Sequence, residues 1–153
     1  MKKVTVCLVV AMALVFGAAL VSQAATLDEA KALGIKAAEF VKANGRDKGI
    51  EEIGNPKGRF SKGELYVTLH GFDGVVLAFS PNPKMVGLNN LEVKDPDGRY
   101  LTKETAEIAK TKGGGWVEYS WVNPATKKIG HKKAWVQRVE GMDIYTLCGV
   151  FQN

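Results

Sequence analysis

The chain has 153 residues and a formal net charge of +5 at pH 7, with 46% hydrophobic, 24% charged and 8% aromatic residues. These fractions are ordinary for a folded globular protein and exclude a long disordered chain, a collagen-like repeat and a membrane protein with many spans. The length allows one domain and excludes a large two-domain enzyme, and the 17 Gly and five Pro favour a sheet-rich or mixed fold.

The N-terminus has the pattern of a secretory signal peptide. Lys2 and Lys3 precede a run without charge at 4–21, and the small residues Ser22 and Ala24 suit the pockets of a signal peptidase. We therefore predict a signal peptide at 1–24, cleaved between Ala24 and Ala25, and a mature domain at 25–153 in the periplasm or outside the cell. The apolar run is also about long enough to span a bilayer, so an uncleaved membrane anchor is the alternative.

The mature domain carries little net charge and one cysteine. Removal of 1–24 takes away two lysines and leaves a net charge of +3, which is too small to indicate a nucleic-acid partner. Because Cys148 is then the one remaining cysteine of the sequence, an intrachain disulfide is excluded.

The first predicted element is a helix that begins at a capping box. Thr26 and Glu29 have the spacing at which each side chain bonds to the backbone of the other. Apolar residues then recur at helical spacing until Gly45, which predicts the end of the helix. One or two further helical turns are expected at 47–53, before the chain breaks at 55–58.

From there the apolar pattern changes to a period of two. The segment 65–69 alternates, Asp73-Gly74 predicts a tight turn, and 75–79 reads as the second arm of a hairpin. A proline-containing segment at 80–83 ends this arm and begins a long connection.

The C-terminal half predicts a short helix and three strands. Thr102 is expected to cap a helix that runs to about Lys112 and ends at the triple glycine 113–115. Because five strands are joined by hairpin-length links and the helices are segregated, the pattern predicts an α+β fold with an antiparallel sheet. The last three strands are expected at 116–122, 132–139 and 144–151.

No pattern in the sequence indicates metal, cofactor or catalytic chemistry. The two histidines are far apart, and Asp95 to Gly98 lacks the other ligands of a calcium loop, so this segment predicts a turn. No serine lies in a nucleophile elbow, and Cys148 lies in an apolar strand that favours a buried, inert thiol. We therefore predict that the protein is not an enzyme and binds neither a metal nor a cofactor.

Aromatic and lysine side chains cluster in the C-terminal third of the chain. By alternation along a strand, Tyr119 and Trp121 share one face while Trp116 takes the other. Such a cluster is either a tryptophan-rich core or a small pocket with aromatic walls and a cation, which suits a small organic anion. The residues alone leave both interpretations open. The cluster consists of Trp116, Tyr119, Trp121, Lys132, Lys133 and Trp135.

A family resemblance favours the pocket. The run GGGWVEYSWVNPATKK at 113–128 resembles the GWVxYxWxNPxTxK signature of bacterial single Cache domains, which are extracytoplasmic sensor modules related to PAS domains. Further segments resemble this family in the same order, so that the resemblance extends from about Ala30 to Phe151. These segments are 58–67, 81–87, 95–98, 132–136 and 147–151.

The resemblance implies a PAS-like fold, in which a long N-terminal helix packs on a five-stranded antiparallel sheet and a ligand pocket lies on one sheet face under the long connection. Single Cache domains commonly bind short carboxylates such as acetate, propionate, pyruvate or lactate, and most belong to chemoreceptors or histidine kinases. We therefore expect Lys132 to hold the carboxylate of a small organic anion. The expected ligand-binding residues are Tyr66, Ser80, Tyr119, Trp121, Lys132 and Trp135.

Three functional classes follow from these observations. The first is a secreted, non-catalytic sensor module that binds a short carboxylate. The second is a docking partner of a membrane-bound sensor kinase or chemoreceptor, in which the pocket is vestigial. A secreted hydrolase is a remote third, because the nucleophile motif is missing. Trp116 is expected to serve packing rather than recognition, and its substitution by alanine should cost about 3–5 kcal/mol if it is fully buried.

Overall fold

A computed structural model describes residues 24–152 of the chain. The predicted signal peptide therefore lies outside the described residues, except for Ala24. The helices are α1 (Leu27–Asn44), α2 (Arg46–Gly54) and α3 (Leu101–Lys112), with a short 3₁₀ turn at Pro83–Met85. The strands are β1 (Ser61–Lys62), β2 (Leu65–Gly71), β3 (Val76–Phe79), β4 (Gly114–Val122), β5 (Ile129–Arg138) and β6 (Ile144–Gln152).

The strands form one antiparallel sheet in the order β1-β2-β6-β5-β4, with β3 also paired to β2. The predicted α+β class is confirmed, but the described residues form six strands rather than five. The additional strand, β1, has two residues that pair with Leu65 and Tyr66. A pattern of period two cannot be recognised in two residues, and this is why the sequence did not predict β1.

Helices and loops cover the two faces of the sheet differently. On one face, here the α1 face, α1 packs along β5 and β6, and the Thr146 hydroxyl donates to the Gly34 carbonyl at 2.9 Å. On the other, here the α3 face, α3 and the connection 80–100 cover the sheet. Residues alternate between these faces, so Cys148 belongs to the core of the α1 face and Leu147 to that of the α3 face.

The start of α1 confirms the predicted capping box. The backbone N–H of Glu29 donates to the Thr26 hydroxyl at 3.2 Å, and the N–H of Thr26 donates to the Glu29 carboxylate at 2.8 Å. The helix ends at Gly45, as its sequence predicts. Within the span 24–152, the structure contains no helix that is long and apolar enough to cross a membrane.

The predicted cap of α3 is wrong, although the helix itself is confirmed. Tyr100 occupies the N-cap position and makes no side-chain cap bond, while Thr102 lies inside the first turn and is buried. The helix therefore starts two residues earlier than a cap at Thr102 would place it. At the other end, Gly113 adopts a left-handed φ of 72° and ends the helix, and β4 begins directly at Gly114.

Candidate functional site

A cavity of about 60 Å³ lies on the α3 face of the sheet, between β2, β4 and β5 and the residues of α3 and the connection 80–100. Because one water needs about 10–15 Å³ by this measure, the cavity has room for roughly four to six water-sized positions. This volume matches a ligand of a few non-hydrogen atoms. The predicted position of a pocket, on one sheet face under the long connection, agrees with this cavity.

Strand register brings four of the six predicted site residues to the cavity: Tyr66, Tyr119, Trp121 and Lys132. Tyr66 comes from β2, and Tyr119 of β4 lies directly opposite Lys132 of β5. Trp121 follows Tyr119 by two residues and shares its face, and the two rings meet edge to face with centroids 6.3 Å apart. The alternation of side chains on β2, β4 and β5 therefore brings these four residues to one side of the cavity, which we call its wall.

Lys132 places a cation deep in this wall. Only 3% of the residue is exposed, and its Nζ donates to the Tyr66 hydroxyl at 2.8 Å. The same Nζ lies 4.0 Å from the Tyr66 ring centroid and 5.0 Å from that of Phe151. Burial lowers the pKa of Lys132 to about 8, and within residues 24–152 no carboxylate lies within ion-pair distance of it. The ammonium is thus desolvated without a neutralising partner in the described part of the chain.

Lys133 lies on the opposite face, as predicted from alternation. Its Nζ forms an ion pair with Glu118 at 2.7 Å, and the hydrogen bond from Lys133 lowers the pKa of that carboxyl. The two neighbouring lysines therefore differ in environment. Lys132 is buried at a cavity, and Lys133 is ion-paired on the α1 face.

The phenols of the wall act as neutral groups. Burial raises the pKa of Tyr66 and of Tyr119 well above the ordinary value for tyrosine. Each hydroxyl therefore keeps its proton at pH 7 and is able to donate a hydrogen bond. Because the Tyr66 oxygen accepts a hydrogen bond from Lys132, the hydroxyl proton of Tyr66 points away from Lys132 and is free to be donated to another acceptor.

The rest of the cavity contains polar groups that the sequence did not single out for binding. Thr68 and His70 follow Tyr66 at alternate positions of β2, and Asp95 comes from the connection. His70 Nε2 lies 2.8 Å from the Thr68 hydroxyl, and burial lowers the pKa of His70 to about 4, which makes the ring neutral at pH 7. The alternation of β2 was the signal that could have identified Thr68 and His70.

Trp135 does not reach the cavity, so its predicted placement is wrong. It lies on the α1 face, where its ring meets that of Trp116 with centroids 5.3 Å apart and Lys31 of α1 lies 4.1 Å from its centroid. Trp135 comes three positions after Lys132, and an odd offset along a strand puts two side chains on opposite faces. Trp116 thus packs as predicted, but it is partly rather than fully buried.

Ser80 is also placed outside the cavity. It directly follows Phe79, which does line the cavity, and instead borders a separate surface groove together with Pro81 and Asn123. Its side chain is buried, and its hydroxyl has no hydrogen-bond partner among the described residues. Its selection rested on the family position alone, and the register of β3 assigns the cavity position to the preceding residue.

Known proteins share both the sequence pattern and the fold. The family described as Single Cache domain 2 matches residues 17–153. A Cache chemosensory domain, whose structure is described as the basis of carboxylic acid recognition, is 24% identical with a TM-score of 0.66, and the match covers 83% of this chain and 88% of that one.

Two further structures show the same fold. The periplasmic sensor domain of a chemotaxis protein is 17% identical with a TM-score of 0.65, and the match covers 83% of this chain and 90% of the other. A methyl-accepting chemotaxis protein from Vibrio parahaemolyticus is 16% identical with a TM-score of 0.67, with coverage of 82% and 85%. At these identities, the structural matches support the fold.

Proposed function

Because the chain belongs to the Single Cache domain 2 family, we propose that it is a periplasmic sensor module that binds a short carboxylate and catalyses no reaction. Export follows from the signal peptide predicted at 1–24, which lies outside the described residues. The carboxylate class follows from the chemistry of the cavity, and one structural relative is described for carboxylic acid recognition.

The observation that carries this proposal is the buried ammonium of Lys132. Burial of a charge without an opposite charge is costly, and a protein normally pairs or neutralises it. A ligand carboxylate in the cavity would supply the opposite charge and form a charge-assisted hydrogen bond. Since the tyrosine hydroxyls are neutral, they add donors for the second carboxylate oxygen without adding charge.

The size and walls of the cavity restrict the rest of the ligand. A volume of about 60 Å³ admits acetate, propionate, pyruvate or lactate and excludes a long acyl chain. The aromatic rings of Tyr119 and Trp121, with Phe79 and Leu147, provide apolar surface for one or two carbon atoms. We therefore propose a carboxylate of two or three carbons.

A second candidate function is docking to a membrane-bound sensor kinase or chemoreceptor. The connection carries three apolar side chains that are about half exposed, namely Val86, Leu88 and Val93. Exposed apolar groups close together are typical of an interaction surface. This alternative predicts association with a membrane sensor and no dependence on a carboxylate.

The proposal is tested by calorimetric titration of acetate, propionate, pyruvate and lactate into the wild type and two variants. Lys132→Met removes the ammonium and keeps an unbranched side chain in the cavity wall. We expect it to weaken binding by about 1.5–3 kcal/mol, roughly 10- to 150-fold. Lys133→Met is the matched control, and we expect its affinity to stay within about twofold of the wild type, because Lys133 lies on the other face.

Three outcomes would contradict the proposal. Equal losses in the two variants would indicate diffuse surface charge rather than a site. Unchanged affinity in both would place binding away from β5. Failure of every acid to bind or to raise the melting temperature would favour the docking function, since a ligand at 100 times its dissociation constant adds about 2.7 kcal/mol of stability.

A further inference from the structure

The two carboxylate oxygens of Asp95 differ in their hydrogen bonds: within the described residues, Oδ1 accepts bonds from the backbone and Oδ2 accepts none. Oδ1 accepts from the backbone N–H groups of Asp97 at 3.0 Å and Arg99 at 2.8 Å, which closes the turn that ends at Gly98. Oδ2 is buried, and in the described part of the chain no group donates to it. The residue lines the cavity and is only 5% exposed.

The turn itself does not explain why this residue is an aspartate. An asparagine oxygen would accept the same two backbone bonds, and asparagine is equally favoured in such turns. The adjacent guanidinium of Arg99 does not satisfy Oδ2 either, because it donates to the Glu104 carboxylate and the Glu118 carbonyl. Burial of an acceptor without a donor is unfavourable. The turn therefore does not account for the second carboxylate oxygen, Oδ2.

A second acceptor lines the same cavity. The Thr68 hydroxyl lies 2.8 Å from His70 Nε2 and 3.4 Å from the carbonyl of Leu147, which can only accept. The assignment that satisfies both contacts has Thr68 donating to the carbonyl and accepting from Nε2–H. His70 Nδ1 then carries a lone pair, and it is buried with no donor among residues 24–152.

The cation and the two acceptors are separate features of one small space. Lys132 and Asp95 both line the cavity, yet they form no ion pair within 4.0 Å. A ligand of a few atoms therefore has room to meet an ammonium with one group and acceptor atoms with another. A plain fatty acid offers only the first of these groups.

We propose that Asp95 Oδ2, with His70 Nδ1, accepts a hydrogen bond from a hydroxyl or ammonium group of the ligand, so that the ligand is a short 2-hydroxy or 2-amino carboxylate. This inference rests on the proposed function, because it assumes that the ligand carboxylate meets Lys132. It adds a specificity-determining residue, Asp95, at a position that the sequence indicated only as a turn.

The test uses three ligands with the same three-carbon skeleton: propionate, L-lactate and L-alanine. They differ only in the substituent on the second carbon, which is hydrogen, hydroxyl or ammonium. We expect lactate or alanine to bind the wild-type protein about tenfold or more tightly than propionate. The tighter of the two identifies the substituent.

Asp95→Asn provides the matched variant. Its amide oxygen keeps both turn bonds, while the NH₂ group replaces the free acceptor with a donor. We expect the preference over propionate to fall to about twofold or less, with the melting temperature retained. If the variant does not fold, the ratio of affinities in the wild type decides the question.

The outcomes separate this inference from the function on which it rests. Equal or tighter binding of propionate by the wild type, or an unchanged preference in a folded Asp95→Asn protein, would overturn the role of Asp95. Lys132-dependent binding of propionate would still support the carboxylate site. Failure of all three acids to bind would overturn both.

Discussion

Under the proposed function, the protonation state of a single side chain, Lys132, controls how strongly the cavity attracts an anion. Its pKa of about 8 means that the ammonium form predominates at neutral pH but is lost within the mildly alkaline range. A bound carboxylate favours the charged form and therefore raises the pKa in the complex. Affinity and protonation are linked through this difference.

We expect the affinity for a short carboxylate to be constant from about pH 6.5 to 7.5 and to fall as the pH rises above about 8. The fall approaches tenfold per pH unit until the pKa of the complex is reached. Calorimetric titration across about pH 6.5 to 9.5 measures this profile. Lys132→Met should retain weak binding without the alkaline fall, and a constant wild-type affinity up to about pH 9.5 would contradict the expectation.

The buried histidine, thiol and phenols near Lys132 do not produce the same profile. Burial lowers the pKa of His70 to about 4, raises that of Cys148 to about 12, and raises those of the two phenols above their ordinary range. An alkaline fall that depends on Lys132 therefore reports the ammonium. The titratable or charged residues that line the cavity with Lys132 are Tyr66, His70, Lys94, Asp95 and Tyr119. Cys148, in the core of the α1 face, interacts with Lys132 electrostatically.

At the level of single elements, local patterns predicted those features that depend on neighbours in sequence. The capping box of α1 is one example, since both partners lie within one helical turn. Strand alternation likewise separated Lys132 from Lys133. The same rule places Trp135 on the α1 face, and its assignment to the cavity failed because resemblance to a family strand was given more weight than residue spacing.

Asp95 illustrates what a local pattern does not contain. Asp-Pro-Asp-Gly predicts a turn, and the structure has a turn there. Which of its atoms remain free depends on how the connection folds back over the sheet, and that packing joins residues far apart in the chain. That Asp95 lines the cavity therefore follows only from the three-dimensional structure.

Trp116 allows a test at the element level, because it joins β4 to β5 on the α1 face. Its ring packs edge to face on Trp135, yet the residue is partly exposed. We expect Trp116→Ala to lower the free energy of unfolding by about 1–3 kcal/mol, less than the roughly 3–5 kcal/mol of a fully buried tryptophan. Chemical denaturation measures the loss.

The same variant should leave the affinity for carboxylates unchanged, because Trp116 lies on the face opposite the cavity. A loss of affinity without a loss of stability would contradict its role in packing. An unchanged free energy of unfolding would show that the contact with Trp135 contributes nothing to the fold.

At the level of the whole molecule, the α+β class followed from the order and periodicity of the elements. The connection 80–100 did not, because it has no regular period and is held by single contacts such as the bond from Gly87 N–H to the Val76 carbonyl at 2.8 Å. Residues of this connection line the cavity. The sequence therefore predicted on which sheet face the pocket lies, but not all of the residues that line it.

Export is a property of the whole chain and is tested directly. The first helix begins at Leu27 and is capped by Thr26, so cleavage before Ala25 would leave the capping box intact. We expect the mature N-terminus at Ala25 in the soluble periplasmic fraction, as measured by N-terminal sequencing and intact mass. Recovery of the full-length chain in the membrane fraction would instead establish an uncleaved anchor.

The burial of Lys132 also bears on how such a sequence persists through evolution. A shift in pKa from 10.5 to about 8 corresponds to about 3 kcal/mol that the folded protein gives up below pH 8. Substitution by methionine or leucine would recover much of that stability, so the fold itself does not need this lysine. If the cavity binds an anion as proposed, relatives that lose their ligand should be free to lose this cation.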